Sequence, residues 1–446
     1  ILKGEEFCFR VRTDNNARWT ELMVSNFQGP IDAAIPLNPD VTDLCDIYVT
    51  YEDVEFPEVK CVKKIMRTWK ILEWQNCTSR YVEFVQIIEI VDSKAPVISK
   101  LDRYYESSTN GHSCEGLFRL PKPALTDNCS SNLKYDVTYP GGFIKGAKVT
   151  DTDRFIALPV GCNEVTITAF DGCLNQSTFN FVVEVTDNTP PVAVCDQNTV
   201  IGLTTNGQAW VHASSFDDGS YDDCALSMML VRRMVPGCEP CAVPIFPDYT
   251  YLGEFVNAGS TKPHYYYMSK TKTSPNVAFK TAAAMGGYVV AINNATEDAW
   301  VYSKVQEWKL KSDYLIGLRD IKKYGQHTWV SGESSTYRNW TTGSPTNTTE
   351  YAAVKDAFGT WYDFSTVSCD ANEYYYVVEI ADPCGFNSGA LFCCSDVALG
   401  AQMVQLRVID KSGNWNDCMV NAIVQDKLPP SIVCPADQTV HCDDYF

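Results

Sequence analysis

Five aspartates in this chain fall where they could share one hard cation. The turn Phe216-Asp217-Asp218-Gly-Ser-Tyr-Asp222-Asp223 sets four carboxylates within seven residues, and Asp187 with Asn188 stands just ahead of Pro190-Pro191. Carboxylates that close repel one another unless solvent or a cation sits among them, and calcium takes oxygen ligands. The run reads either as a solvated loop or as a calcium site of Asp187, Asp217, Asp218, Asp222 and Asp223. A second stretch, Asp410-Lys-Ser412-Gly-Asn414-Trp-Asn416, also alternates oxygen-bearing side chains. It lacks the later glutamate of a calcium loop, so a plain turn is the simpler reading.

Catalytic chemistry finds no comparable constellation. The five histidines (His112, His212, His264, His327, His441) are scattered, with no HExxH and no nucleophile elbow. His327, beside Trp329, reads as a surface residue. The glycine pairs 141–142 and 286–287 read as turns, because no strand–GxGxxG–helix unit surrounds them. A binding or structural protein is therefore expected, not an enzyme. The net charge of −19 argues against nucleic acid and anionic membranes as partners, since both call for clustered Lys and Arg. No run of eighteen apolar residues occurs, so no membrane insertion is expected. Nineteen cysteines with a single CxxC (Cys238-Glu-Pro-Cys241) fit disulfides in an extracellular setting better than metal ligation. Ile1-Leu-Lys-Gly does not begin a signal peptide, and the chain reads as a mature or internal piece.

The elements that position these residues are organised by a repeat. Val85-Gln-Ile-Ile-Glu-Ile-Val-Asp92-Ser-Lys-Ala-Pro96, Val182-Val-Glu-Val-Thr-Asp187-Asn-Thr-Pro-Pro191 and Ala422-Ile-Val-Gln-Asp426-Lys-Leu-Pro-Pro430 are one phrase: a strand, an Asp, and a Pro four residues later. The first two aspartates are 95 residues apart and the next two 239 apart, leaving 144 residues of excess for a further domain. Pro96 to Cys129 and Pro191 to Cys224 are both 33 residues, and both cysteines sit in acidic turns. Period-two alternation in Phe179–Val185, Val165–Ala169 and Val404–Val408 predicts half-buried strands. Several such strands per period read as a β-sandwich. The Asp-Asn-Cys turn, the strand Val160-Gly-Cys-Asn-Glu-Val-Thr-Ile-Thr-Ala169, an Asp-x-x-Gly-Asn turn and the Asp-x-x-x-Pro exit together resemble HYR-type repeats. These are immunoglobulin-like modules of large bacterial (Bacteroidetes-type) surface adhesins and some animal extracellular proteins, and they imply spacing and adhesion.

Between Cys238 and Cys384 the texture changes. Ser274-Pro275 opens a predicted helix with Ala278, Ala282 and Met285 on one face, stopped by Gly286-Gly287. A second starts at Asn294 or Thr296 and buries Trp300, Val301, Val305 and Trp308. Short aromatic strands follow. The ordered phrases Gly286-Gly-Tyr-Val-Val-Ala-Ile292, Leu315-Ile-Gly-Leu318, Trp329-Val-Ser-Gly332, Asn339-Trp340-Thr-Thr-Gly343-Ser-Pro345, Gly359-Thr-Trp361-Tyr-Asp363 and Val378-Glu379 resemble a C-type lectin-like domain. The resemblance implies an α+β fold and a glycan- or protein-binding surface near Trp340, Asn347, Glu350, Trp361 and Asp363. Calcium-dependent members flank the loop proline with carboxylates or amides. Here Ser344 and Thr346 flank Pro345, and Tyr362 replaces an Asn; Asp363 survives, with Asn347 and Glu350 near enough to serve as displaced ligands. A staple of the family is missing as well, with Ala282 and Val378 where its cysteines stand.

The expected fold is mainly β: tandem immunoglobulin-like β-sandwiches plus one inserted α+β C-type lectin-like domain. The expected boundaries are 1–93, 94–189, 190–237 with 385–428, the insert 238–384, and the start of a further repeat at 429–446. Four cysteines in each of the first two repeats predict two bridges inside each and none between them. The expected function is that of an extracellular, cell-surface or secreted adhesin segment, a rigid stalk presenting a lectin-like domain to glycans or proteins. The alternative is a filament or surface-layer subunit whose insert packs on its neighbours.

Overall fold

The computed structural model describes residues 7–13, 19–24, 47–57, 61–75, 78–128, 131–235, 238, 241–257, 261–308, 312–320, 327–346, 351–365, 373–430 and 432–437. They divide into two compact units, Ile1–Ser107 with Leu117–Glu184, and Ser108–Gly116 with Val185–Phe446.

The first unit opens with one antiparallel sheet in the order Trp19–Val24, Phe7–Thr13, Thr78–Val91, Val62–Gln75, Ile47–Glu55. Its spine is a long hairpin in unbroken register from Val62↔Val91 to Gln75↔Thr78. Ile65, Arg67 and Trp69 alternate inward along it, as period two requires. Arg67 tolerates burial because Asp53 takes two of its N–H groups at 2.8 and 2.7 Å. These strands make one sheet, and they do not show the sandwich expected for 1–93. Further along the unit a five-stranded sheet runs Gly142–Ala147, Lys134–Tyr139, Gly161–Phe170, Gln176–Thr186, Tyr104–Ser108, with separate two-stranded ladders beside it. Val165, Ile167, Ala169, Phe181 and Val183 are buried together with Leu158 and Val137, the inward half of the alternation.

In the second unit, strands from both sides of the aromatic segment pair with each other. Asn198–Gly202, Trp415–Gln425, Ala401–Asp410 and Leu226–Arg233 form one sheet, and Gln208–His212 pairs with Gly389–Cys393. Phe216, Val231, Phe392, Leu406 and Val408 fill the core of these strands. The segment between leaves and returns at a neck closed by the Cys241–Cys384 disulfide, with Cys238–Cys393 beside it.

That segment carries helix α1, Pro275–Ala284, and helix α2, Ala295–Glu307. Its sheet runs Tyr249–Phe255, His264–Ser269, Tyr375–Ile380, Tyr314–Arg319, Tyr351–Lys355, Trp361–Ser365. Asn294 caps α2 by accepting from the N–H groups of Thr296 and Glu297, both at 3.0 Å. Ala282 and Val378, which stand where the family's staple would be, are fully buried in one apolar cluster with Leu315 and Val354. Gly317 lies so close to the neighbouring chain that an added Cβ would sit 2.1 Å from the carbonyl oxygen of Val289. Gly317→Ala is therefore expected to prevent folding of this segment, read as loss of the near-ultraviolet circular dichroism of its packed aromatics.

The disulfides correct one expectation. Cys61 pairs with Cys173 and Cys114 with Cys224, so both bonds cross the repeat boundaries that were expected to separate them. The reason is visible at the first boundary. The turn after Phe170 folds back on the preceding exit strand, where Asn175 Nδ2 donates to the carbonyl of Asp92 at 3.2 Å. A cysteine in that turn therefore faces the neighbouring period. Cys195–Cys418 closes the host strands across the whole aromatic segment.

Candidate functional site

The loop around Pro345 is held from beneath by one buried aspartate. Asp298, in the first turn of α2, is 4% exposed. It accepts from Lys355 Nζ at 2.5 Å, Asn339 Nδ2 at 2.8 Å, Tyr337 Oη at 3.1 Å and Trp361 Nε1 at 3.3 Å. Burial pulls the Lys355 ammonium below its usual range, opposed by its bond to Asp298, and the same burial pushes the Tyr337 phenol up to about 12. Asn339 also donates to the carbonyl of Gly359 at 2.9 Å, while the Thr341 amide donates to the Trp361 carbonyl at 2.7 Å and the Trp361 amide to the Asn339 carbonyl at 2.8 Å. One carboxylate thus fixes the stem of the loop, the preceding Tyr337 and the strand bearing Asp363.

Above this stem the sequence-predicted residues separate in role. Trp361 is fully buried, edge-on to Trp329, Tyr337 and Trp340. It is core and not a ligand platform, because its indole N–H is spent on Asp298. Trp340 is half-buried, with its ring 5.1 Å from His327. Asp363 accepts from the Thr346 amide at 2.8 Å and the Thr346 hydroxyl at 2.9 Å through Oδ2, while its buried Oδ1 has no partner. His327 is half-buried rather than on the surface; its Nε2 is buried without a partner, and burial lowers its basicity. Asn347 and Glu350 lie outside the described residues. Calcium takes about six to eight oxygens. The described residues bring one carboxylate and the Ser344 and Thr346 hydroxyls to this loop, so by themselves they do not fit that ion.

A second polar cluster was not foreseen. Glu297 and Glu379 are both completely buried. Tyr266 Oη donates to Glu297 at 2.7 Å, and Asn293 N to the other Glu297 oxygen at 2.7 Å. Glu379 bonds His264 Nδ1 at 2.5 Å and accepts from Ala291 N at 3.0 Å. Burial, then the charge of Glu379, pushes Glu297 up to about 7. The bond to Glu379 raises His264, and burial raises Glu379 itself. Glu297 falls one turn before Val301 on the predicted apolar face of α2; a carboxylate on that stripe was the available signal.

The aspartate run is also re-sorted. Asp217 spends its oxygens on the amides of Gly219 and Ser220 at 3.2 and 3.1 Å, and Asp218 and Asp223 are exposed. Asp187 and Asp222 do converge: an oxygen of each and Sγ of Cys224 lie within 4.8 Å of one another. Asp410 joins them. Burial, with the charges of Asp187 and Asp222 adding to it, pushes its carboxyl up to about 6. The turn treated separately in the sequence belongs to this cluster.

The model of the lectin C-type domain family matches residues 271–377. A perlucin-like protein of the mussel Mytilus galloprovincialis is 30% identical over 122 residues, covering 26% of this chain and 76% of that protein. Human C-type lectin domain family 4 member E is 27% identical over 129 residues, covering 28% of this chain and 57% of that protein. The crystal structure of human lithostathine covers 33% of this chain and 98% of its own, at 20% identity and a TM-score of 0.27. Both sequence relatives are animal proteins, whereas the HYR resemblance pointed first to bacterial adhesins. Over the aromatic segment between the paired host strands, the chain belongs to the C-type lectin domain family.

Proposed function

We propose that this chain is part of an extracellular adhesive protein. Its lectin domain, inserted into a loop of an HYR-like, immunoglobulin-like module, is displayed by a stalk of such modules and binds a glycan or protein ligand without calcium at the loop around Pro345. The observation that carries this reading is the pair of buried atoms left open there, Asp363 Oδ1 and His327 Nε2, beside half-buried Trp340. An unpaired buried acceptor costs about 1–3 kcal/mol, and a ligand hydroxyl or amide would remove that cost. The indole edge adds an apolar wall of the kind sugars and peptide side chains both use. A glycan array run with and without chelator tests it. Binding that persists in chelator and falls about tenfold in Asp363→Asn is expected, while binding abolished by chelator would overturn the calcium-independent reading.

A second reading, a filament or surface-layer subunit, is favoured by Phe358, which stands 90% exposed on the turn before Trp361. A large ring so placed suits packing on another chain. In that case Phe358→Ser would weaken assembly and leave the array unchanged.

A further inference from the structure

We propose that this chain carries two related divalent-cation sites outside its lectin domain, where the exit aspartates of the first two repeats meet the terminal turn of a β-module, with calcium as the matching ion. The first is made by Asp92, Asp127 and Asp171, the second by Asp187, Asp222 and Asp410.

The two constellations share their sequence spacing and an asparagine-tied turn; an oxygen of Asp92 and one of Asp171 converge within 4.8 Å in the first, and one each of Asp187 and Asp222 in the second. Asp92 to Asp127 and Asp187 to Asp222 are both 35 residues. Asp171 Oδ1 accepts from the amides of Cys173 and Asn175 at 2.7 and 3.0 Å, and Asp410 Oδ1 from those of Ser412 and Asn414, both at 2.8 Å. Asn175 Nδ2 donates to Asp171 Oδ2 at 2.9 Å and to the Asp92 carbonyl at 3.2 Å. Asn414 Nδ2 donates to Asp410 Oδ2 at 2.9 Å and to the Asp187 carbonyl at 3.0 Å. In both, the asparagine is a positioning residue that ties the turn to the exit strand and leaves the carboxylates facing one another.

What points to a ligand is the exit aspartate. Asp187 is 4% exposed, and its Oδ1 accepts from Thr109 Oγ1 at 3.0 Å and Thr189 N at 3.1 Å. Its Oδ2 is buried and has no partner, and Asp92 Oδ2 is left in the same condition. Five of the six carboxylates (Asp92, Asp171, Asp187, Asp222 and Asp410) have no ion pair among the described residues. Buried like charges without a counter-charge are costly, and a cation that accepts oxygen ligands in flexible geometry removes that cost. The neighbouring sulfurs, Cys173 and Cys224, are in disulfides and cannot ligate as thiolates. The second site has a further consequence. Lys280 of α1 donates to Asn414 Oδ1 at 2.9 Å and to Asn188 Oδ1 at 3.0 Å, so the residue that positions the site also holds the lectin domain's first helix.

Calorimetric titration of the whole 446-residue chain with calcium chloride tests the proposal. The wild type is expected to take up at least one ion per constellation. Asp92→Asn and Asp187→Asn should each weaken one class of site by about tenfold or more, and the double variant should lose both. Asp218→Asn, in the same acidic run but exposed, should change nothing. A wild-type chain binding fewer than two equivalents would overturn the proposal without reference to any variant's folding. So would a double variant, folded by circular dichroism, that keeps wild-type stoichiometry and affinity.

Discussion

Asp298→Ala is expected to destabilise the lectin domain by about 3–5 kcal/mol, the range for removing one partner of a buried ion pair. The side chain is 4% exposed and Lys355 is 1% exposed, so the ammonium left behind would have no water to turn to. The same substitution removes the acceptor of the Trp361 indole N–H and of the Tyr337 phenol, and one of the two acceptors of the Asn339 amide. Buried donors without acceptors each cost about 1–3 kcal/mol, although the losses overlap because the groups form one network. Asp298→Asn keeps an acceptor but not the charge, and should fall between wild type and alanine. Thermal unfolding is the measurement, with a drop in midpoint on the order of 10 °C expected for the alanine variant. A drop of less than about 2 °C would mean that Lys355 finds another counter-charge and that Asp298 is not what holds the loop around Pro345.

Much of the fold was legible because its cues are local. Pro275 marks the start of α1 by its fixed φ at the first turn and Asn294 the start of α2 by its side-chain cap, and the observed helices begin there. The alternation through Phe181, Val183, Val404, Leu406 and Val408 marks inward faces by period two, and each is buried. The lectin fold was legible from ordered short phrases, because Gly317 and Trp361 occupy positions few other residues can fill. The polar interior was harder to see. Trp361 was read as a ligand platform because sequence shows an aromatic near a loop, not which way its N–H points. Asp298 and Glu297 share the buried side of α2 with Val301 and Val305, and only their tertiary partners show that two carboxylates are held there. Asp410 and Asp222, 188 residues apart, could not be joined by any spacing rule once a domain lies between them. The disulfides failed for a related reason: counting cysteines per period assumes that a repeat boundary is also a bonding boundary, and a turn that folds back across it breaks the rule.

The second large effect is on pH. Glu297 titrates at about 7 in the fold, against about 4.3 for an unconstrained glutamate. A carboxyl whose folded value is raised binds its proton more tightly in the native state. Its contribution is therefore complete below about pH 4.3 and is lost as pH rises through about 7. His264 acts in the same direction. Its folded value is raised by the bond to Glu379, so its stabilisation is complete below about 6.5 and is lost as pH rises through the raised value. Glu379 sits between them, raised by burial and opposed by its bond to His264, so the cleanest part of the pH slope is carried by Glu297. The lectin domain should be more stable at about pH 6 than at about pH 8.5, by on the order of 2 kcal/mol. Denaturant unfolding across that range, followed by tryptophan fluorescence, measures it. Glu297→Gln keeps the shape of the side chain and can still meet Tyr266 and Asn293, but it cannot ionise. The variant should lose most of the slope and be more stable than wild type at the alkaline end. If wild-type stability is level or rises between those two pH values, then Glu297 is ionised in the fold, and the buried pair must be neutralised by something other than protons.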